Sequence, residues 1–208
     1  MIKNIILDMG NVLLDFRPEV SVKHFFEDEE DRKLIMKELF NGPEWIMADR
    51  GLITNSRRFD GVSKRVPERL HEKLKACVEG WDMCMCIHNG SVEYSKQVHV
   101  GAPEFCELMK QKGYRLFVLS NACDRFHHYF PRYFDLSLFE GIIVSSDVKM
   151  LKPDREIYLY LLEKYKLVPE ECLFIDDREE NVLGAKECGL QGVVFDGEYE
   201  SVVEQFEL

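Results

Sequence analysis

The stretch Ile5-Ile6-Leu7-Asp8-Met9-Gly10-Asn11-Val12-Leu13, near the N-terminus, decides how this chain folds. The apolar run over 2–7 stops at Asp8, which is the pattern of a short buried strand that ends in a polar loop. Three later apolar runs are followed by polar residues in the same way. They are 115–119 before Ser120-Asn121, 142–144 before Lys152-Pro153, and 172–175 before Asp176-Asp177.

Strands and helices alternate in the second half of the chain. We predict helices over 103–112, 153–166, 178–188 and 198–206, and a further strand over 192–195. Residues 18–98 show only the helical spacing of apolar side chains. Because strand–helix alternation produces a parallel sheet covered on both faces, the sequence predicts an α/β fold. Its Rossmann-like parallel-sheet core would comprise residues 1–16 and 99–208, with an inserted α-helical cap domain over residues 17–98.

The charge balance argues against a nucleic-acid partner. The 208 residues include 27 Lys and Arg against 38 Asp and Glu, which gives a formal net charge of −11, whereas a nucleic-acid surface requires a basic face. No apolar stretch approaches the roughly 18–20 residues of a membrane span, and the apolar N-terminal run is too short for a signal peptide. We therefore expect a cytoplasmic protein without a nucleic-acid or membrane partner. The sequence leaves its oligomeric state open.

The seven cysteines are odd in number and unevenly spaced, which is not the pattern of a secreted disulfide framework. Cys84, Cys86 and His88 carry side chains of the kind that bind zinc. Their C-x-C-x-H spacing lacks a convincing fourth ligand, so we favour alternating side chains near the end of a helical region over a metal site.

The polar residues after the strands predict the chemistry. Ligands of such sheets bind at the carboxyl ends of the strands, where this chain places three carboxylates, a hydroxyl, an amide and a lysine. Carboxylates that lie close together repel one another unless a cation lies among them, and hard oxygen ligands suit Mg²⁺. A lysine and a hydroxyl are suitable partners for phosphate oxygens, and a carboxylate can act as a nucleophile. This combination predicts phosphoryl transfer through an aspartyl-phosphate.

Each of these residues also has a purely structural explanation. An Asp or Ser that follows a strand often caps the next helix, and Lys152 alone could be an ordinary surface residue. The functional interpretation depends on their joint occurrence after every central strand. The chain contains no GxxxxGK[ST] or GxGxxG motif, so nothing indicates a nucleotide triphosphatase or a dinucleotide dehydrogenase.

The four motifs together resemble the haloacid dehalogenase-like hydrolase superfamily. The matching segments are 5–13, 118–121, 150–153 and 174–177, followed by Asn181, Gly184-Ala185 and Gly189. They cover the predicted core. The predicted helical segment matches a cap domain of this family in position and through the short stretch 49–54.

The resemblance implies roles in phosphoryl transfer. Asp8 would be the nucleophile, and Lys152 would neutralise charge on Asp8 and on the phosphoryl group. Ser120 and Asn121 would bind the phosphoryl group while it is transferred.

The resemblance also implies a Mg²⁺ site formed by Asp8, Asp177 and the backbone carbonyl of Gly10, with Asp176 in support. Phosphatases of this family usually carry a second Asp at the position of Gly10, where it acts as a general acid and base. Such a group typically contributes about 10²–10⁴-fold in rate. Asp15, His127 or water are the candidates to replace it. Asp15 is the best placed of these in the sequence, although a turn residue is the simpler interpretation.

The Asp-x-Gly-Asn-Val-Leu variant resembles a bacterial subgroup that includes sugar-phosphate phosphatases, notably enzymes that act on α-D-glucose 1-phosphate. An anomeric phosphate leaves as a hemiacetal oxyanion, which needs less help from an acid than an alkoxide does. We therefore expect Mg²⁺-dependent hydrolysis of a small phosphorylated metabolite, with a sugar phosphate favoured. Sugar 1-phosphates should then be turned over faster than 6-phosphates.

Two alternatives stay open at this point. A 2-haloacid dehalogenase also lacks the second Asp and keeps the serine, asparagine and lysine. Those relatives, however, typically have a tyrosine at the position of Gly10 and do not need the metal-binding pair. A catalytically weak regulatory protein that binds a metabolite would explain Gly10, but it would not need a nucleophile such as Asp8.

Substrate identity should depend on the helical segment, because a cap closes over the site and excludes water. The simpler interpretation makes its two tryptophans core residues and the Arg57-Arg58 pair a solvent-exposed helix face. The candidate substrate contacts are Trp45, Met47, Asp49, Arg50, Arg57, Arg58 and Trp81.

Overall fold

Five parallel strands form one sheet in the order β3-β2-β1-β4-β5. The structure, a computed structural model, describes residues 1–86 and 101–208, and it describes side chains over 1–82 and 101–208. The predicted parallel sheet is confirmed, and each strand begins and ends within two residues of its predicted bounds. The strands are β1 Asn4–Leu7, β2 Arg115–Ser120, β3 Gly141–Val144, β4 Cys172–Asp176 and β5 Gln191–Val194.

Helices and tight turns follow β1 up to residue 86, and residues 18–86 are called the helical block below. The side chains of Cys84, Cys86 and His88, weighed above as a metal cluster, lie outside the described residues. The helices of the block are α1 Pro18–Phe25, α2 Glu29–Ile35, α3 Pro43–Asp49, α4 Arg58–Val62 and α5 His71–Cys86. The block also contains a π-helical segment, Met36–Phe40, and three 3₁₀ turns, Asn55–Arg57, Ser63–Arg65 and Glu68–Leu70.

Six helices accompany the remaining strands in the described ranges. They are α6 Ala102–Gln111, α7 Phe126–Tyr129, α8 Ser145–Val148, α9 Arg155–Tyr165, α10 Glu179–Glu187 and α11 Tyr199–Phe206. The short turns Phe130–Arg132, Leu136–Leu138 and Pro169–Glu171 complete this part. The four predicted helices correspond to α6, α9, α10 and α11. Over residues 1–86 and 101–208, no helix combines the length and hydropathy that a bilayer-spanning segment requires.

The sheet is buried on both faces, which explains its uninterrupted apolar strands. Successive side chains of a strand point to opposite faces. Ile5 and Leu7 accordingly belong to a core that extends into the helical block. Ile6 packs on the other face with Phe117 and Phe174, against residues of α9 and α10. The central position of β1 therefore places the loop that begins at Asp8 in the middle of the sheet edge.

Polar contacts fix the helical block against this edge. The backbone N–H of Asn55 donates to Asp124 Oδ1 at 3.0 Å, and Arg125 Nη2 lies 2.7 and 2.8 Å from the two carboxylate oxygens of Asp82. The Asp82 side chain is fully buried, whereas 25% of the Arg125 side chain is exposed, so the ion pair is partly shielded from solvent. Both contacts join the block to the segment that follows β2.

Gly51 allows a very close approach between the block and the core. It lies just after α3 with φ of +68°, in the left-handed region that favours glycine. A Cβ atom at this position would lie 2.1 Å from the backbone carbonyl oxygen of Ser146, in α8. The backbones therefore meet where no side chain fits.

Gly51→Ala should destabilise the protein more than Gly113→Ala. Gly113 has φ of +88°, and no atom lies within 4 Å of the place that a Cβ atom would take. Its substitution therefore introduces backbone strain alone, about 1–2 kcal/mol. Gly51→Ala adds overpacking, which costs a further ~1–3 kcal/mol. Urea denaturation of both variants measures the difference. Equal losses of unfolding free energy would contradict the close approach of block and core.

Candidate active site

The carboxyl edge of the sheet gathers three carboxylates. Leu7, the last residue of β1, pairs in register with both β2 and β4, so the loop after β1 begins where its neighbours end. Oxygens of Asp8, Asp176 and Asp177 lie within 4.8 Å of one another. The structure thus brings together the side chains that the sequence singled out as metal ligands.

Lys152 lies between two of these carboxylates. Its ammonium nitrogen is 2.7 Å from Asp8 Oδ1 and 2.6 Å from Asp176 Oδ2, and its side chain is 1% exposed. It also donates to the Leu119 carbonyl at 2.8 Å. Because an ammonium group has three donors, each proton of Lys152 has an acceptor. Burial lowers the pKa of Lys152, but Asp176 and Asp8 outweigh burial and raise that pKa overall.

Asn121 fixes the backbone of Lys152. The Lys152 N–H donates to Asn121 Oδ1 at 2.9 Å, and the Asn121 amide donates to the Lys152 carbonyl at 2.8 Å. This pair of bonds joins the end of β2 to the loop before α9. Asn121 therefore positions the lysine, and its predicted contact with a phosphoryl group stays a prediction.

Ser120, the last residue of β2, is buried, and its hydroxyl has no hydrogen-bond partner among the described residues. An unsatisfied buried hydroxyl costs about 1–3 kcal/mol. A ligand oxygen would supply the missing partner. Ser120 is not among the described residues that line the adjacent cavity, so its predicted role in phosphoryl binding stays a prediction.

Asp176 is fully buried and has its oxygens engaged by the protein. Besides Lys152, it accepts from the backbone N–H of Arg178 at 2.9 Å and from the Asn181 amide at 2.9 and 3.1 Å. A carboxylate in this state orients its neighbours and has little capacity left for a cation. This arrangement agrees with a supporting role for Asp176.

The carboxyl groups of Asp8 and Asp177 both have pKa values above their usual range. Burial raises the pKa of Asp8 to about 7; Lys152 opposes this shift, and Asp176 and Asp177 add to it. Burial also raises the pKa of Asp177, although Asn11 donates to it at 2.9 Å and opposes the shift. A divalent cation would favour the ionised form of both groups, and such oxygen donors suit Mg²⁺. The donor set therefore fits the predicted metal.

A cavity of about 340 Å³ opens above these residues. Its walls are aromatic: the ring centroids of Trp45 and Trp81 are 5.1 Å apart, and that of Phe16 is 5.8 Å from Trp45. The cavity therefore has one charged end and one aromatic side. The polar lining residues include Asp8, Asn11, Asp49, Asn121, Lys152, Asp177, Arg178 and Asn181, and the aromatic ones are Phe16, Trp45, Trp81 and Tyr129.

Three of the predicted substrate contacts line this cavity, namely Trp45, Asp49 and Trp81. Trp81 is also a core residue, at 4% exposure. The predicted contacts that instead have solvent-accessible side chains outside the lining are Met47, Arg50 and Arg57.

The prediction that Arg57-Arg58 form a solvent-exposed face is wrong for Arg58. Its side chain is 0% exposed, and Nη2 lies 3.2 Å from Asp49 Oδ1. The guanidinium carbon lies 3.8 Å from the centroid of the Trp45 ring. Cation–π attraction and the ion pair offset part of the lost hydration, whereas Nε and Nη1 are buried without a hydrogen-bond partner among the described residues. Arg58 thus supports two of the residues that line the cavity.

Asp49, the last residue of α3, has an unusual protonation equilibrium. Burial raises the pKa of Asp49 to about 7, and Arg58 and Trp45 oppose this shift. A carboxyl group in this range exists in both protonation states near neutral pH, which is the condition for acid–base chemistry.

The residues expected to replace the second Asp are not brought to the cavity. Asp15 lies 3.4 Å from Arg17, and His127 lies 2.9 Å from Asp147. Neither is among the described residues of the lining. Sequence reasoning also missed Asn11, which holds Asp177. Asn11 could have been found from the sequence, because it belongs to the segment 5–13 that contains Asp8.

Comparison with known proteins identifies the protein family. Residues 2–189 match the family model of the haloacid dehalogenase-like hydrolases. The chain therefore belongs to the haloacid dehalogenase-like hydrolases, as its four motifs indicated.

Three known proteins are similar to this chain over most of its length. A sesquiterpene phosphatase of Aspergillus oryzae is 23% identical over 192 residues, which span 92% of this chain and 88% of that protein. A phosphorylated carbohydrates phosphatase of Thermotoga maritima is 33% identical over 143 residues, 62% of this chain and 63% of that protein. A haloacid dehalogenase family enzyme of Bacteroides thetaiotaomicron, in complex with magnesium and inorganic phosphate, has a TM-score of 0.67 at 22% identity. That comparison covers 97% of this chain and 99% of the other.

Asp49 should make the protein less stable as the pH rises. The pKa of its carboxyl group is about 7 in the folded chain against 3.8 ordinarily, so the folded state binds more protons between these values. The free energy of unfolding therefore falls through this window and levels off above it. Asp49→Asn removes this contribution. The unfolding free energy of the variant minus that of wild type, measured by urea denaturation, should therefore rise by ~1–4 kcal/mol as the pH increases from about 5 to about 8.

Asp60→Asn is the matched control, because Asp60 lies on α4 of the same block with 57% of its side chain exposed. Its difference from wild type should stay constant over this pH range. A pH-independent difference for Asp49→Asn as well would contradict the raised pKa.

Proposed function

We propose that this protein is a Mg²⁺-dependent phosphomonoester hydrolase that acts on a small phosphorylated metabolite, with a sugar phosphate favoured. The observation that carries the proposal is the Asp8–Lys152–Asp176 arrangement, because its Asp8 and Lys152 side chains line the charged end of the cavity. Phosphoryl oxygens need cations and hydrogen-bond donors around them. Both relatives described above are named as phosphatases, which supports the same reaction class.

In the proposed reaction, a carboxylate oxygen of Asp8 attacks phosphorus in line with the leaving oxygen. A bond forms from Asp8 to phosphorus while the bond to the leaving oxygen breaks, and the leaving oxygen takes up a proton. Water then attacks phosphorus in the aspartyl-phosphate, which releases phosphate and restores the Asp8 carboxylate. Lys152 holds Asp8 in place and balances negative charge during both steps.

The proposed metal ligands are Asp8, Asp177 and the backbone carbonyl of Gly10, with Asp176 in support. When bound, Mg²⁺ would neutralise charge on the phosphoryl oxygens and so ease attack by an anionic carboxylate. Asn11 orients Asp177 through its 2.9 Å hydrogen bond. The Bacteroides thetaiotaomicron enzyme was crystallised with both magnesium and inorganic phosphate, which supports this assignment.

The cavity supports a substrate of metabolite size. Its volume lies within the ~300–1,000 Å³ of small-molecule sites, and aromatic walls suit the C–H faces of a sugar ring. The Thermotoga maritima relative is named for phosphorylated carbohydrates. We further propose residues 17–98 as the cap domain and residues 1–16 and 99–208 as the catalytic core, because the aromatic wall includes Trp45 and Trp81 of the helical block.

The alternative activities account for less of this geometry. Displacement of halide from a 2-haloacid does not need a cation, yet Asp177 is held by Asn11 beside the nucleophile position. A protein that only binds a metabolite would not need a carboxylate locked by a buried lysine. Both alternatives are outcomes of the following test.

Phosphate release should require Asp8 and Mg²⁺. A panel of sugar phosphates, nucleotides and phospho-acids is assayed with Mg²⁺ and with EDTA. Asp8→Asn removes the nucleophile at constant size and should reduce turnover by about 10³-fold or more. Asp177→Asn should raise the Mg²⁺ concentration needed for half-maximal activity, because one ligand loses its charge. Among the sugar phosphates, 1-phosphates should react faster than 6-phosphates.

Asp15→Asn is the control for these variants, since Asp15 lies outside the described cavity lining and should be dispensable. EDTA-insensitive phosphate release would contradict the metal site. Halide release from a 2-haloacid without any phosphate release would favour the dehalogenase. Tight binding of a panel member without turnover would favour the regulatory protein.

A further inference from the structure

The leaving oxygen in the proposed reaction needs a proton, and the glycine beside the nucleophile cannot supply one. The donor must line the same cavity as Asp8. The titratable and charged residues of the described lining are Asp8, Asp49, Cys123, Tyr129, Lys152, Asp177 and Arg178.

The residues at the charged end are already engaged. Asp8 attacks phosphorus, and Asp177 faces the cation position. Lys152 directs its three protons to Asp8, Asp176 and Leu119. A guanidinium such as that of Arg178 does not release a proton in the working pH range of proteins.

Two further groups hold their protons too firmly. Burial raises the pKa of Cys123 to about 11, and burial also raises the pKa of Tyr129 well above its usual value. The Tyr129 hydroxyl moreover donates to Met9 Sδ at 3.4 Å. Of the described lining residues, Asp49 is the one left that can both give and take a proton.

We propose that Asp49, at the end of α3 in the helical block, is the general acid and base for the leaving group and the attacking water. This inference rests on the proposed phosphatase function and deepens it. It places the nucleophile and the proton-transfer group on different parts of the chain. The core supplies the nucleophile and the helical block supplies the proton.

Contacts on both sides of Asp49 fix its position. Arg58 Nη2 lies 3.2 Å from Oδ1, and a carboxylate with about four acceptor sites keeps capacity for a substrate oxygen. The backbone carbonyl of Asp49 accepts a hydrogen bond from the buried Ser145 hydroxyl, which follows β3. The close approach of Gly51 to Ser146 lies two residues further on. The carboxyl group is thus held against the core although it belongs to the block.

The protonation state of Asp49 suits this role. Its pKa of about 7 leaves acid and carboxylate both populated near neutrality. The charged and titratable groups around it are Arg58 from α4 and Cys123 and Tyr129 from the segment after β2. Arg58 stabilises the carboxylate that forms when the proton leaves, and burial favours the return of the proton.

The proton balance closes over one cycle. The Asp49 carboxylic acid protonates the leaving oxygen as its bond to phosphorus breaks, which yields the alcohol. The Asp49 carboxylate then takes a proton from the water that attacks the aspartyl-phosphate. Phosphate departs, and Asp49 is again an acid.

The test compares a substrate that needs an acid with one that does not. Nitrophenolate leaves p-nitrophenyl phosphate as a stable anion, whereas a sugar 6-phosphate releases an alkoxide that must be protonated. Asp49→Asn should lower kcat/KM for the 6-phosphate, which reports formation of the aspartyl-phosphate, by about 10²–10⁴-fold and leave kcat/KM for p-nitrophenyl phosphate nearly unchanged. Because Asp49 also activates the attacking water, the later step slows for both substrates alike. Asp60→Asn, at an exposed position of the same block, should alter neither rate. Equal losses of kcat/KM on both substrates, or no loss on either, would overturn the proposal.

A carboxyl group placed elsewhere should recover the lost rate. A Cβ atom at Gly10 would lie 3.9 Å from Phe16 Cβ and 4.0 Å from Asp8 Oδ2, so Gly10→Asp has room. Gly10→Asp added to Asp49→Asn, or Asp49→Glu alone, should restore 6-phosphate turnover at least about tenfold over Asp49→Asn. If neither recovers it, proton transfer is not what Asp49 supplies, and the proposal is overturned.

The proposed function is tested separately in the same assay. Hydrolysis of p-nitrophenyl phosphate by wild type and its loss in Asp8→Asn support the phosphatase whatever Asp49→Asn does. Phosphate release from neither substrate by wild type would reject the phosphatase, and this inference with it.

Discussion

The buried ammonium group of Lys152 holds the candidate active site together. Burying an ion costs several kcal/mol, and removing one partner of a buried pair typically costs about 3–5 kcal/mol. Here one cation is balanced against Asp8 and Asp176, so the loss of Lys152 would leave two buried carboxylates in mutual repulsion. The ends of β1, β2 and β4 meet at this group, and Asn121 secures its backbone. The sheet register and the charge balance therefore depend on each other.

The helical block completes the site through contacts of a different kind. Polar bonds join it to the core at the segment after β2 and at the start of α8. The block contributes Trp45, Trp81 and Asp49 to the lining of the cavity that Asp8 and Asp177 also line, and Asp49 is paired with the buried Arg58. Under the proposed function, the core carries the nucleophile and the block selects the leaving group.

Sequence patterns predicted the sheet and its edge well, because both follow from local rules. A buried parallel strand must be apolar throughout. An Asp that follows such a run, such as Asp8 or Asp176, therefore marks the end of the strand and the edge of the sheet. Arg58 could not be predicted in this way. Two adjacent arginines in a helical segment predict side chains exposed to solvent. The burial of Arg58 instead depends on Trp45 and Asp49, which the packing of α3 against α4 brings next to it. Asp15 illustrates the converse: it is near Asp8 in the sequence, yet it is not among the described residues of the cavity lining.

The most direct test of a covalent mechanism is to locate the phosphoryl group during turnover. The enzyme is mixed with Mg²⁺ and an excess of its best sugar phosphate, quenched in acid over a series of times, and digested for mass spectrometry. We expect one phosphoryl group on the peptide that contains Asp8, at that side chain, and none in Asp8→Asn. Steady phosphate release with no modification of Asp8 at any quench time, or with the phosphoryl group on another residue, would contradict the proposed role of Asp8.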